Sequence, residues 1–158
     1  MQNVAFTINS CSKTIIMIRL NPYLNFNGHT EVAFNFYRSV FGGEFAMLQR
    51  FKDTGHGDDM SAEDKEKIMH IALPIGENVI LMGTDTLESF GQILKEGDNF
   101  SLSVSTGSEE EAATIFNKLS EEGKINMPLE KTFWGAFFGM LTDKFGIQWM
   151  VSYDEKYA

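Results

Sequence analysis

The sequence predicts an α+β fold built from two βαβββ modules. Three observations predict it. Two amphipathic helices lie 79 residues apart, strand-like runs flank each helix in the same order, and glycine ends both helices. The modules fall at about 17–84 and 99–158, joined by a linker at 85–98. Residues 1–16, MQNVAFTINSCSKTII, lack the basic start and continuous apolar run of a signal peptide. They are expected to be a leader or extra segment outside the core; an added edge strand, or a true start at Met17, would also account for them.

The first strand is expected at about 19–26. Its period of two puts Leu24 and Phe26 on a helix-facing side and Asn21, Tyr23 and Asn25 on the other. A helix follows from Thr30 to Phe41, with Val32, Ala33, Phe36, Tyr37, Val40 and Phe41 as its apolar stripe. Gly42-Gly43 stops it, because glycine readily takes the left-handed backbone that closes a helix. Strands are expected at 44–51, 67–74 and 78–84. The charged stretch Lys52 to Lys67, KDTGHGDDMSAEDKEK, reads as a solvated loop between the first two of these.

The second module repeats the plan, with strands at 99–105, 124–132, 135–142 and 147–153. Its helix is expected at about 109–121, opened by a capping box of Ser108 and Glu111 and stopped by Gly123. Adding 79 maps Ala33 to Ala112, Tyr37 to Phe116 and Val40 to Leu119. Offsets of 78 and 80 map Leu24 to Leu102 and Met47 to Met127. An offset of 70 maps Gly76 to Gly146, Ile80 to Met150 and His70 to Met140.

Composition narrows the function. Thirteen Lys and Arg against 22 Asp and Glu give a formal net charge of -9. Such a chain is repelled by nucleic-acid phosphates and anionic membrane surfaces, so neither is an expected partner. No apolar run approaches the roughly 20 residues that span a bilayer. One cysteine, Cys11, allows no internal disulfide, which points to the cytoplasm.

Asn21-Pro22-Tyr23-Leu24, Phe36-Tyr37, Phe41-Gly42-Gly43 and Ile68-Met69-His70 together resemble PhnB-like proteins. The tail is the most specific part: Met127-Pro128, Thr132-Phe133-Trp134-Gly135, Phe138-Gly139, Thr142-Asp143-Lys144-Phe145-Gly146 and Trp149-Met150. The resemblance spans about Arg19 to Ser152. These proteins belong to the glyoxalase, bleomycin-resistance and extradiol-dioxygenase (vicinal oxygen chelate) superfamily. The resemblance implies curved mixed sheets around a cavity, and a homodimer. Relatives also carry a demethylubiquinone methyltransferase label. The sequence shows no glycine-rich strand-to-helix turn suited to a nucleoside cofactor, and no cofactor is expected.

Metal-dependent members of the superfamily carry His or Glu on the first and last strands of each module. The resemblance puts those positions at Asn21, Ile80, Asn99 and Met150, which is not a metal set. His29 and His56 read as solvated. His70, between Met69 and Ile71, is expected to point into the concavity if those two face the helix, as a buried packing histidine, a ligand-binding group or an acid–base catalyst. The expected ligand-binding residues are Asn21, Tyr23, Asn25, His70, Ser101, Ser103, Trp134, Phe138, Met140 and Met150, with Phe133 and Phe137 turned away. The leading expectation is a metal-independent small-molecule binding protein. An isomerase or lyase using His70, and a structural dimer without ligand, are the alternatives.

Overall fold

A computed structural model describes residues 18–55 and 60–156. The expected leader, Cys11 and His56 lie outside them. Each module has one four-stranded sheet. The first contains β1 (Tyr23–Phe26), β2 (Met47–Arg50), β3 (Ile68–Ile75) and β4 (Val79–Asp85), in the order β1-β4-β3-β2. The second contains β5 (Leu102–Ser105), β6 (Lys124–Lys131), β7 (Phe137–Thr142) and β8 (Gln148–Tyr153), in the order β5-β8-β7-β6. In both, the first and last strands pair parallel and the other neighbours antiparallel. The expected α+β class and duplicated βαβββ order are therefore present.

The helices are α1 (Thr30–Phe41), α2 (Ala62–Glu66) and α3 (Glu109–Leu119). α1 packs on β3 and β4, α3 on β7 and β8, and the two helices touch each other. One core results. Leu24, Phe26, Leu73 and Leu81 of the first module join Phe116, Leu141, Trp149 and Val151 of the second. Each sheet thus has a helix-covered face and an opposite, open face.

The start of α1 is held from a distance. His29 precedes the helix but caps nothing with its side chain. Asp85, at the end of β4, does so instead: one oxygen accepts from the Thr30 backbone N–H (3.0 Å) and hydroxyl (2.6 Å), the other from the Ile68 N–H (2.8 Å). In α3 the Ser108 hydroxyl accepts from the Glu111 N–H as expected, but Glu111 reaches Gly107 N rather than completing the box on Ser108. The helix ends at Leu119, not 121, and Glu122 takes a left-handed φ of 58° before Gly123.

Several expectations need correction. The hydrogen-bonded register pairs Tyr23 with Met82 and Ser103 with Met150, and Leu73 with Leu81 and Leu141 with Trp149. These pairs exclude a spacing of 78 for the first strand together with 70 for both strands of the hairpin; a single spacing for the hairpin is 68, with 80 for the first strand. On that spacing Met82, not Ile80, corresponds to Met150, and His70 corresponds to Phe138, not Met140. The apolar stripe of α1 is rotated: Phe34 is fully buried and Val32 is 62% exposed. The charged stretch is not one loop. Phe51–Asp53 makes a 3-10 turn, and Ser61 caps α2 by accepting from the Asp64 N–H. Asp64 is buried beneath Lys67 (2.7 Å) and the linker's Ser89 hydroxyl (2.6 Å). Finally, a register shift between Gln49 and Arg50 turns Ile68 into the core and leaves Met69 half-buried outside it. Met69 does not face the helix.

Candidate functional site

The open face of module one is built on the outward positions of β1, β4, β3 and β2. Leu24, Phe26, Leu81, Gly83, Ile71 and Leu73 turn to the helix side, so Tyr23, Asn25, Met82, Thr84 and His70 take the other. Tyr23 Oη lies 3.1 Å from His70 Nδ1, and the two rings stack with centroids 5.7 Å apart. Partial burial raises the Tyr23 phenol above its ordinary range, and a hydrogen bond from Thr84 offsets part of that shift. His70 stands against Tyr23 and not against a helix.

The open face of module two has a different chemistry. Phe138, Met140, Met150 and Ser152 lie on it half-buried, and Ser103 lies on it exposed. Trp134 sits at the β6–β7 hairpin tip, 54% exposed, with its ring 6.2 Å from that of Phe138. Phe133 is at the same tip and almost wholly exposed, whereas Phe137 packs against the core. No titratable side chain is among the expected site residues here.

The ten expected ligand-binding residues do not share one cavity. Asn21, Ser101 and Ser103 line a groove of about 650 Å³ along the edge of β5, with Phe41, Leu81 and Trp149 opposite. Asn25 lines a hollow of about 530 Å³ with Phe51, Met69, Thr84, Leu94 and Lys95. Tyr23 and Asn25 also line a cleft of about 210 Å³ closed by His29 and Phe145. His70, Trp134, Phe138, Met140 and Met150 line none of these three. His29 is not simply solvated: it is half-buried, stacked on Phe145 at 6.1 Å, with Nδ1 3.1 Å from the Asn27 carbonyl.

Sequence reasoning missed Phe51, Met69, Thr84 and the linker residues Leu94 and Lys95. The alternation around Thr84 carried the signal for that residue. Nothing local marked the linker, because its approach to β1 is set by tertiary packing.

The implied metal positions do not fit a divalent ion. Asn21 Oδ1 already accepts from the Ile80 backbone N–H at 3.0 Å. Ile80 offers no donor, and Met150 offers only a soft thioether. Among the described residues, no three His, Cys, Asp or Glu side chains gather as a metal group.

Besides Asp64, two buried carboxylates belong to the scaffold. Asp85 is described above. Asp143, in the β7–β8 turn, accepts from the Tyr37 hydroxyl and Trp149 Nε1, both at 2.8 Å, and from the Phe145 and Ile147 N–H groups. Burial and the neighbouring Asp143 carboxylate push the Tyr37 phenol far above its ordinary range.

The model of the 3-demethylubiquinone-9 3-methyltransferase family matches residues 18–152. The chain belongs to this PhnB-like family. It is 32% identical over 141 residues to Protein YjdN of Escherichia coli (strain K12), covering 84% of this chain and 93% of that one. Among solved structures, protein PA1353 from Pseudomonas aeruginosa is 37% identical with a TM-score of 0.77, covering 87% of this chain and 98% of that one. A putative 3-demethylubiquinone-9 3-methyltransferase, PhnB protein, from Bacillus cereus is 28% identical with a TM-score of 0.70, covering 86% and 99%. Solved glyoxalase-related and glyoxalase/bleomycin resistance proteins at 13–15% identity, with TM-scores of 0.54–0.58, share the fold. The PhnB-like family thus carries the expected glyoxalase fold. Among the described residues, no helix is long and apolar enough to cross a membrane.

Proposed function

We propose that this PhnB-like chain binds an apolar or aromatic small molecule without a metal ion, as a homodimer that brings one open face of each copy against the other kind of open face of its partner. One observation carries the reading. Apart from Asn21, Ser101 and Ser103 in the β5-edge groove, the expected site residues divide into two sets, Tyr23, Asn25 and His70 on module one and Trp134, Phe138, Met140 and Met150 on module two. No hydrogen bond or ring contact joins the two sets among the described residues. A twofold dimer can lay each face on its complement twice, and symmetric pairing is the commonest route to covering such surface. Exposed Tyr23, Met47, Phe133 and Trp134 supply apolar area that favours burial. Aromatic rings and thioethers with a few polar groups are the usual lining of a small-molecule site.

The family description names a methyl transfer. The β1-to-α1 turn here has one glycine, Gly28, unlike the glycine-rich turn that seats a dinucleotide. Binding is therefore preferred to methyl transfer. A cytoplasmic location is part of the proposal, supported by the single cysteine. The second reading, an isomerase or lyase, is favoured by the Tyr23–His70 contact, which suits an imidazole acid–base group.

The test is a thermal-shift screen of flat aromatic compounds, run in EDTA and again with divalent metals, alongside light scattering and elemental analysis. The reading expects a dimer mass, no stoichiometric transition metal, and stabilisation that persists in EDTA. A monomer at micromolar concentration, or about one zinc, nickel, manganese or iron per chain, would contradict it.

A further inference from the structure

Resting on that reading, we propose that Tyr23, His70 and Gln49 form a carbonyl-binding clamp on the open face of module one: Tyr23 holds His70 as the Nε2–H tautomer, and that N–H with the Gln49 carboxamide takes the oxygen of an uncharged planar carbonyl compound.

The clamp follows from the strand register. Gln49 and His70 are direct partners across β2 and β3. Direct partners in an antiparallel pair share a face, with Cβ atoms about 5 Å apart. Tyr23 reaches His70 from β1 across β4. Its own partner there is Met82, and the partner of Met82 on β3 is Ala72, whose small side chain leaves the phenol a path. The contact that results is the 3.1 Å approach of Tyr23 Oη to His70 Nδ1.

Through that contact the clamp sets the tautomer. In the proposed clamp the Tyr23 phenol, protonated at neutral pH, donates to Nδ1 across the 3.1 Å contact. A neutral imidazole accepting at Nδ1 carries its proton on Nε2. Among the described residues, neither Nε2 nor the Gln49 carboxamide has a protein partner. Two adjacent N–H donors are therefore uncommitted on a half-buried surface, where a ligand oxygen can satisfy both.

The surroundings select the ligand. The strand residues sharing this face include Tyr23, Asn25, Met47, Ala72, Met82 and Thr84, none of them charged; the charged group that comes beside Asn25 and Thr84 is Lys95 of the linker. The whole chain carries a net charge of -9, which disfavours anions approaching it. An aromatic ketone matches both conditions: its ring lies against tyrosine and thioethers, and its oxygen meets the two donors.

Two experiments on the full chain test this, and only the second needs a ligand. Side-chain ¹⁵N–¹H NMR should show His70, identified by its loss in His70→Gln, as the Nε2–H tautomer. Tyr23→Phe, which keeps the ring, should move its ring nitrogens toward the mixed-tautomer average. An Nδ1–H tautomer in the parent protein, or no change in Tyr23→Phe, overturns the role of Tyr23. In the second experiment acetophenone is compared with α-methylstyrene, the same shape with a methylene in place of the oxygen. Two hydrogen bonds predict binding of acetophenone tighter by at least about tenfold, with most of that preference lost in Gln49→Ala and in His70→Gln. Equal affinities would overturn the clamp and leave apolar binding on the open faces standing. Failure of both compounds to bind would overturn the clamp and the binding reading together.

Discussion

On their helix-covered faces the two modules are close copies; on their open faces they are not. Phe34 of α1 lies over Gly83, where an added Cβ would stand 2.5 Å from the ring, and Phe116 of α3 lies over Gly139, where the distance would be 2.7 Å. The two glycines fall on different strands of equivalent hairpins, β4 and β7, because the two rings come from different turns of their helices. Packing accepts that exchange and nothing looser. The open faces answer to no such constraint. Module one carries Tyr23, Gln49 and His70, module two Phe138, Met140 and Met150. The difference separates two jobs: the covered faces hold the fold, and the open faces divide polar recognition from apolar area.

The largest expected effect tests whether the covered sides act as one core. Asp143 joins Tyr37 of module one to Trp149 of module two. Asp143→Ala would leave a phenol, an indole N–H and two backbone N–H groups without their acceptor, and should cost about 3–4 kcal/mol in denaturant unfolding. A loss below about 1 kcal/mol would mean the modules are stable separately.

Next come the glycines. Gly83→Ala and Gly139→Ala should each cost about 1–3 kcal/mol by overpacking against a ring, with Gly139→Ala the larger because its Cβ would also stand 2.9 Å from the Leu129 backbone. A loss at only one of the two would break the equivalence of the covered faces. On the open faces, Trp134→Ala should leave stability nearly unchanged and weaken binding of an aromatic ligand by roughly 1–3 kcal/mol. The reverse pattern, lost stability with unchanged affinity, would assign Trp134 to packing.

The smallest effect is a pH dependence. Burial holds both the Tyr23 and the Tyr37 phenol above the ordinary tyrosine range in the folded chain. A group whose folded pKa is raised contributes stability that is fully present below its unfolded pKa and lost as pH rises beyond it. Stability should therefore decline above about pH 10, and Tyr37→Phe should flatten that decline. An unchanged slope in Tyr37→Phe would contradict the buried Tyr37–Asp143 bond.

The sequence revealed the duplicated order of strands and helices because period and punctuation are local properties. Ala33 and Ala112, Tyr37 and Phe116, Val40 and Leu119 are all buried as their spacing implied. Register was not legible. Parity alone cannot tell an offset of 70 from one of 68, since both keep a side chain on the same face. Parity is therefore satisfied by pairing His70 with either Met140 or Phe138. The bulge at Gln49–Arg50, which exchanged Ile68 and Met69, left no mark that a sequence could show. Neither did the approach of Tyr23 to His70, which depends on crossing a strand of another register.

The central claim is that the open faces bind a flat, apolar molecule without a metal. It is tested most directly by calorimetric titration of the strongest aromatic ligand from the thermal-shift screen into EDTA-treated protein, its Trp134→Ala variant and its His70→Gln variant. The account predicts saturable binding in EDTA that both variants weaken, one from each open face. Binding that appears only when a divalent metal is restored, or that neither variant changes, would contradict it.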